Sequence, residues 1–531
     1  MYESPRNLVL LLLILATAYA IRITPYLVSG VPYHTDTWAM LPVINVLLEK
    51  TPVPLSPDVG FDNYNVYWPG LALFAAVLSN VVGLRPIHLL PLASPFVSSL
   101  STLMLYAFLR RIGSRPSEAL VASLFFGLAG GEAILTAGVT KEGYALPLFV
   151  LMLFLLSKGI REDNIRFTLL NLAVIPTLAL SHHLTSVVAL SLISYFILSH
   201  ALYPESRVGA LRWSFLISLA FAFLLYVYFF VYAYEALPFR LSETDLTSII
   251  GYQVLSFTSF LLSPVLLSRP SLWVKRWIIA ALILVLGLVI AALNIHVMVG
   301  APTLSPIDLI LTSPYMATSV LAVLGSEIAE KTWGRSGIAF IGMWIIGLLA
   351  VELYIVFGTP GLPSDAYRLA NFLYGGVVIL ASNGWLRIKR RRFVSTLILA
   401  LIVGGMLFTL PYTSFLSGPL GGSQRVYSTH DLAQADWIAR YCHGAKVHGD
   451  LRLSYLLYMK VDVEVRDALS FLLGEGCPPK GCLVITKLME QVGFVATAYG
   501  IPIDSHVLAF LPNDQRLSLV YSSWRNQIFR A

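Results

Sequence analysis

The sequence predicts an α-helical polytopic membrane protein of about thirteen transmembrane helices, followed by a C-terminal extracytoplasmic α/β domain. Three observations carry this. Of 531 residues, 57% are hydrophobic and only 12% charged, with a mean hydropathy of +0.75, whereas soluble domains average about 25% charged residues. Apolar runs of spanning length recur from residue 8 to residue 412. Beyond that point the texture changes to charged, alternating sequence.

Runs of roughly 17–25 apolar residues are long enough to cross a bilayer. They are read at 8–28, 87–109, 117–138, 142–157, 167–181, 183–203, 213–234, 248–268, 277–298, 306–325, 336–357, 367–386 and 393–412. The first has no small-x-small cleavage site after it and reads as a retained anchor. The 26 Tyr and 10 Trp suit a protein with many interfacial ring anchors.

Basic residues set the orientation. Arg110-Arg111 with Arg115, Lys158 to Arg166, Arg207 with Arg212, Arg269 to Arg276, Lys331 with Arg335, and Arg387 to Arg392 fall on one side of these spans. Positive loops stay cytoplasmic, so the N-terminus is expected inside and the C-terminus outside. The net charge of +7 is thus a topology signal, and no nucleic-acid partner is expected. For the charges to agree, the apolar stretch 71–84 must not cross. It reads as an interfacial or re-entrant helix.

The expected division is a membrane domain, 1–412, whose first outer loop is 29–86, and an extracytoplasmic domain, 413–531. In the latter, Asp431 to Tyr441 has helical amphipathicity. Lys446-Val447-His448-Gly449-Asp450 and Gly481-Cys482-Leu483-Val484-Ile485-Thr486 read as β-runs. Cys477 and Cys482 are candidates for a small disulfide loop.

The first outer loop holds Tyr33-His34-Thr35-Asp36-Thr37-Trp38, then Asp58, Asp62 and Asn63, then Tyr67-Trp68-Pro69-Gly70. An acidic, aromatic segment between spans has no packing reason to exist in lipid. His34 and Asp36, two residues apart, would face one side of an extended segment. There they suit either a divalent cation or a carboxylate base steered by an imidazole. The plain alternative is that Thr35 or Asp36 caps a helix over Thr37–Leu48.

Other ionisable residues fall on the same side, where their cost in a membrane makes them site candidates. Lys141-Glu142 reads as a phosphate contact plus a carboxylate, or as an interfacial pair with a snorkelling lysine. His182-His183 joins two spans; adjacent histidines diverge on a helix and cannot easily share one ion. Arg368, near Asp365 and Asn371, suits bidentate grip on a phosphate, or a local pair with Asp365. Glu235, Arg240, Glu243 and Asp245 complete the set. No P-loop, Rossmann fingerprint, Gly-x-Ser-x-Gly or His-Glu-x-x-His occurs.

This layout resembles the GT-C superfamily of integral-membrane glycosyltransferases, which includes oligosaccharyltransferase catalytic subunits, protein mannosyltransferases and aminoarabinose transferases. The likeness rests on the acidic first loop, the Tyr67-Trp68-Pro69-Gly70 element before a surface helix, the span number and the external α/β domain. Thr140-Lys141-Glu142 falls where such enzymes often carry a second acidic motif. Two departures are plain: no Trp-Trp-Asp-Tyr-Gly occurs in the C-terminal region, and His34-Thr35-Asp36 replaces an Asp-Glu pair. They place the chain in a separate branch, expected to be archaeal.

The resemblance implies a polyprenyl-phosphate-linked sugar as donor and a glycan, lipid or protein as acceptor, in a multi-pass protein of the cell membrane. Asp36, helped by His34, would be the catalytic base. Arg368, Lys141, His182 and His183 would hold the donor phosphate. Glu142, Asp58, Asp62, Tyr67 and Trp68 are further candidates, and a divalent cation (Mg or Mn) would sit at His34 and Asp36. The competing classes are a transporter or flippase, which would show inverted repeats and broken helices, and a non-catalytic cell-envelope scaffold. Neither device is expected here.

The orientation has a direct test. An impermeant thiol reagent applied to intact cells should label Gly60→Cys and spare Arg390→Cys; external labelling at 390 would reverse the topology.

Overall fold

A computed structural model describes residues 3–49, 65–203, 208–234, 306–358, 363–415 and 425–530, apart from a few positions within those ranges, and scattered residues between 247 and 258. Its helices are α1 (Pro5–Ser29), α2 (Thr35–Glu49), α3 (Gly70–Val82), α4 (Pro86–Ile112), α5 (Pro116–Leu128), α6 (Gly130–Thr136), α7 (Lys141–Glu162), α8 (Ile165–Ser181), α9 (His183–Leu202) and α10 (Val208–Tyr226). They continue after the undescribed stretch as α11 (Pro306–Gly358), α12 (Pro363–Ile388) and α13 (Arg392–Phe415).

Among the described residues, eight helices are long and apolar enough to cross a membrane, and α5 with α6 passes as a pair bent by 58°. Helix α8 and the first part of α11, Ile310–Ser326, are apolar but shorter. Each expected span therefore falls on a described helix, except 248–268 and 277–298, which lie mostly or wholly outside the described residues. In α11 the two expected spans are separated by one non-helical residue, Gly334 (φ 72°, ψ −178°). Only glycine adopts such a conformation cheaply.

Arg110 and Arg111, after α4, and Glu162, at the end of α7, lie at one end of the bundle, while Arg207 and Arg269 to Arg276 fall outside the described residues. There the Arg110 Nε meets Glu3 Oε1 at 2.6 Å, Arg111 pairs with Glu162 at 3.2 Å, and Trp333 Nε1 donates to Ser114 Oγ at 2.8 Å. At the opposite end of α1 the chain enters the His34 loop. Both ends of α3 also lie there: Gly70 abuts Ser181, and α4, the next helix, sends Ser94 Oγ to the Gly138 carbonyl at 3.2 Å. A 13-residue helix is also too short for a hydrocarbon core about 30 Å thick. Helix α3 is one of the shorter apolar helices and is not among the eight described helices long enough to cross.

Close packing inside the bundle depends on glycine. A Cβ on Gly325 would strike the Leu380 carbonyl, and one on Gly384 the Leu321 carbonyl, so α11 and α12 touch backbone to backbone. Small residues permit this approach, and van der Waals contact is the main attraction available in lipid.

One expected span differs. Residues 117–138 are broken at Ala129, within Gly127-Leu128-Ala129-Gly130-Gly131. Three glycines lower the cost of leaving the helix. The expectation that no broken helix occurs is corrected accordingly.

The C-terminal region forms a five-stranded sheet in the order β2-β1-β3-β7-β6, with β1 (Val447–His448), β2 (Val463–Glu464), β3 (Cys482–Thr486), β6 (Ser518–Ser522) and β7 (Asn526–Arg530); β4 (Phe494–Val495) and β5 (Gly500–Ile501) pair separately. Both expected β-runs are strands. The expected helix is α14 (Thr429–Tyr441), closed by a capping box of Ser428 and Asp431. Strand alternation gives the sheet two cores. Cys482, Val484 and Ile528 face α14 and α2, where Trp38, Leu41 and Ile44 join them; Leu483, Ile485 and Phe529 face a second cluster with Phe471 and Leu508.

That alternation decides the disulfide. Cys482 bonds Cys442, just past α14, across 6.6 Å between Cα atoms and a separation of 40 residues; Cys477 is exposed and free. The expected 477–482 loop is corrected because Cys482 points into the face that α14 covers. Of the chain's 3 cysteines, denatured but unreduced protein should therefore alkylate Cys477 alone. Alkylated Cys442 in that sample would overturn the pairing. Replacing Cys442 and Cys482 with serine should cost the C-terminal region about 4 kcal/mol, from the loop the bond closes, read as a lower melting temperature.

Candidate active site

His34 opens the site in a strained conformation. Its φ of 79° is the one positive value at a non-glycine among the described residues, a cost borne mostly where surrounding structure enforces it. Two contacts do so. The His34 N–H donates to the Arg425 carbonyl at 2.9 Å, and its Nδ1 accepts from the Asp36 N–H at 3.2 Å. His34 thus satisfies a first-turn donor of α2, and the helix begins at Thr35 rather than Thr37. The expected extended geometry is not found: Asp36 is helical. Its carboxylate still lies 3.7 Å from His34 Nδ1, because the positive φ turns the ring back over the helix start.

The opposing wall is the link from α6 to α7. Thr37 Oγ1 donates to the Tyr33 carbonyl at 2.6 Å and accepts from the Val139 N–H at 2.9 Å. Gly138 has to be glycine, since a Cβ there would overlap the His34 Cβ. Lys141 and Glu142 come next, at the start of α7, both buried.

Tyr67-Trp68-Pro69-Gly70 forms a third wall. A Cβ on Gly70 would stand 2.6 Å from Ser181 Oγ, so only glycine passes the end of α8. Trp68 is fully buried, with its ring 5.1 Å from His183 and Lys141 Nζ 5.6 Å from its centre. The Tyr67 carbonyl accepts from the Tyr228 hydroxyl, and its ring meets Tyr232 at 5.2 Å. Both tyrosines lie in the π-helical turn Val227–Tyr232. His182 and His183 diverge as expected. The His182 Nδ1 caps α9, 2.7 Å from Thr185 Oγ1, while His183 turns to Trp68.

Charge organises the centre. His34 is 2% exposed; burial, opposed by Asp36 and reinforced by Arg425 and Arg368, pushes its imidazole down to about 3. The Asp36 side chain is 35% exposed. Burial raises its carboxyl, but His34, Arg368, Arg425 and Lys141 outweigh that and hold it below the ordinary carboxylate value. Since His34 is neutral above about 3, the three cations carry the effect. The result is an ionised, reachable carboxylate beside three basic side chains.

Arg425 gave no signal in the sequence. It comes after a glycine-rich stretch and belongs to no motif. It is placed by its neighbours: Tyr427 packs against Trp38 with ring centres 5.4 Å apart and donates its hydroxyl to the Arg452 carbonyl at 3.2 Å, while the Arg452 guanidinium lies 4.6 Å over the Tyr427 ring. Asp58, Asp62, Glu235, Arg240, Glu243 and Asp245 lie outside the described residues, as does the side chain of Asp365.

For a divalent cation the candidate donors are His34 and Asp36. The His34 Nδ1 already accepts a hydrogen bond, leaving Nε2, which is buried without a hydrogen-bond partner among the described residues. No group of three or more His, Cys, Asp or Glu forms a metal centre among the described residues, and the nearest charges are positive. The described residues do not by themselves fit such an ion.

No protein-family model and no curated protein sequence matches the chain. Solved structures do. The Archaeoglobus fulgidus oligosaccharyltransferase tethered to an acceptor peptide matches with a TM-score of 0.57 at 11% identity, over 90% of this chain and 69% of that one. The fold is GT-C-like. The same organism's oligosaccharyltransferase AglB with an inhibitory peptide and a dolichol-phosphate gives 0.54 at 11% identity, over 82% of this chain and 58% of that one. Its complex with Zn and sulfate gives 0.54 at 11% identity, over 90% and 68%. The chain therefore spans little more than half to about two-thirds of those proteins, and at this identity the likeness is one of fold.

The site makes a signed prediction about acid. His34 binds a proton less readily folded than unfolded, so the unfolded chain takes up protons first as pH falls below 6.5. Stability is therefore lost from about 6.5 downward, until both states are protonated near 3. The lowered Asp36 adds a loss of the same sign at lower pH. His34→Asn, which tolerates positive φ, should flatten the fall in melting temperature between pH 6.5 and 4. An unchanged slope would remove His34 as its source.

Proposed function

We propose that this chain is a membrane glycosyltransferase. It moves a sugar or glycan from a polyprenyl-phosphate carrier to an acceptor on the outer face of the membrane, inverting the anomeric centre. The observation that carries the reading is the ionised, one-third-exposed Asp36 carboxylate set among Arg368, Arg425 and Lys141 in a GT-C-like fold. The N-terminus is assigned to the cytoplasm and residues 413–531 to the outside, on the charge of the loops.

The chemistry divides between these groups. Asp36 accepts the proton of an acceptor hydroxyl as its oxygen bonds the anomeric carbon. The bond from that carbon to the lipid phosphate breaks, and its electron pair stays on the phosphate. The cations that lower the basicity of Asp36 also stabilise that leaving group. The balance favours reaction because a phosphate departs as an anion without a strong acid, while a carboxylate need only be ionised to accept the proton. His34, neutral and pinned, orients Asp36. Lys141 and Arg368 are assigned to the phosphate with Arg425, and His183 and Trp68 to the donor wall. In support, the Archaeoglobus fulgidus structures of the same fold hold a dolichol-phosphate, an acceptor peptide and, in another crystal, sulfate.

Purified protein given a radiolabelled polyprenyl-phosphate sugar and membrane acceptors should release polyprenyl phosphate. Asp36→Asn should slow release by about 10²–10⁴-fold while still binding polyprenyl phosphate. Arg368→Ala should cost about 10²–10³-fold and weaken that binding. Full turnover in Asp36→Asn would sink the assignment, and solute flux without sugar transfer would favour a transporter.

A further inference from the structure

The break between α5 and α6 lies inside the bundle, where unsatisfied backbone groups are costly. In a continuous helix the Gly131 N–H would bond the Gly127 carbonyl. Here the two are taken by side chains from different spans. Arg22 of α1, fully buried, donates from Nη1 to the Gly127 carbonyl at 2.8 Å and from Nε to Thr136 Oγ1 at 2.7 Å. Tyr315 of α11 accepts from the Gly131 N–H at 2.9 Å. Gly127 must lack a side chain for this, because a Cβ would stand 2.8 Å from Thr102 and 3.3 Å from Ala18.

Arg22 thus grips both sides of the break, one atom on the end of α5 and another on the last turn of α6. A fully buried arginine in a span is expensive, and its placement calls for a function. Past Thr136 the chain runs into segment 137–140, which packs Gly138 on His34, hands the Val139 N–H to Thr37 and leads into Lys141. Ser98 Oγ reaches the Thr136 carbonyl at 3.4 Å and Ser94 the Gly138 carbonyl at 3.2 Å, so a polar ladder runs from Arg22 up to the site.

We infer that Arg22 and Tyr315 are positioning residues for the candidate site. They hold the α5–α6 break in its bent form, and the bend places segment 137–141 against the His34 loop and Lys141 against Trp68. Neither side chain acts on substrate. The consequence for donor binding rests on the proposed role of Lys141 as a phosphate contact.

Two measurements separate this inference from that reading. Cysteines at Thr37 and Val139, in a Cys477→Ser background, should cross-link efficiently under mild oxidant. Adding Arg22→Ala or Tyr315→Phe should cut the yield several-fold in protein that remains folded by size exclusion, with Arg22→Lys in between, because an ammonium cannot span both acceptors. A mutation that merely destabilised the bundle would leave the surviving folded fraction cross-linked as before, and that result overturns the inference. Tyr315→Phe keeps the test available if Arg22→Ala does not fold. In parallel, polyprenyl phosphate should bind Arg22→Ala about as weakly as Lys141→Ala, and the double variant no more weakly than either; additive losses would also overturn it. If the unmutated protein binds no polyprenyl phosphate, the proposed function fails, and the cross-link alone decides the role of Arg22.

Discussion

A bilayer offers no water to a backbone N–H or C=O, so irregular chain survives at depth only where protein supplies the missing partners. The architecture obeys that constraint. The His34 loop, segment 137–140, the α8–α9 joint and the Tyr67–Gly70 element all sit at helix ends, where the chain is free to turn. They meet at one end of the bundle because α1, α4, α7 and α9 begin or finish there. Among the described residues the bent α5–α6 span breaks the rule, and Arg22 and Tyr315 take up the Gly127 carbonyl and the Gly131 N–H that the break frees.

The chemistry proposed for that end rests on charge placed at the edge of a low-dielectric medium. Arg368, Arg425 and Lys141 come from three distant parts of the chain and converge on Asp36. Their charge holds Asp36 ionised and would stabilise an anion arriving at that end of the bundle. His34 contributes no charge above about pH 3. Its part is geometric: a strained backbone and a ring nitrogen that hold the first turn of α2.

The C-terminal region belongs to the site as much as to itself. Trp38, Leu41 and Ile44 of α2 share one core with Tyr427, Val447, Leu453 and Val484. Moving that region would move α2, and with it Asp36. Arg425 sits at this seam and gives the His34 N–H its acceptor, so the C-terminal sheet and the helical bundle are joined close beside the carboxylate.

Much was legible in the residues alone. Hydropathy marked the spans, because each needs a continuous apolar run whatever its neighbours are. Loop charge set the expected orientation, in which 71–84 is a helix that does not cross. Strand alternation and the amphipathicity of Asp431 to Tyr441 were equally local. His34, Asp36, Lys141, His183 and Trp68 stood out because polar and aromatic residues are rare in such a chain. What the sequence left open depends on partners distant along it. Arg425 had no motif, the Cys442–Cys482 pairing needed the sheet to choose a face, and Arg22 drew no attention until Gly127 and Thr136 were beside it. Periodicity and composition are properties of neighbours in the chain and can be read there. The convergence of three cations, and the repair of a broken helix by two other spans, are properties of neighbours in space, fixed only when the bundle packs.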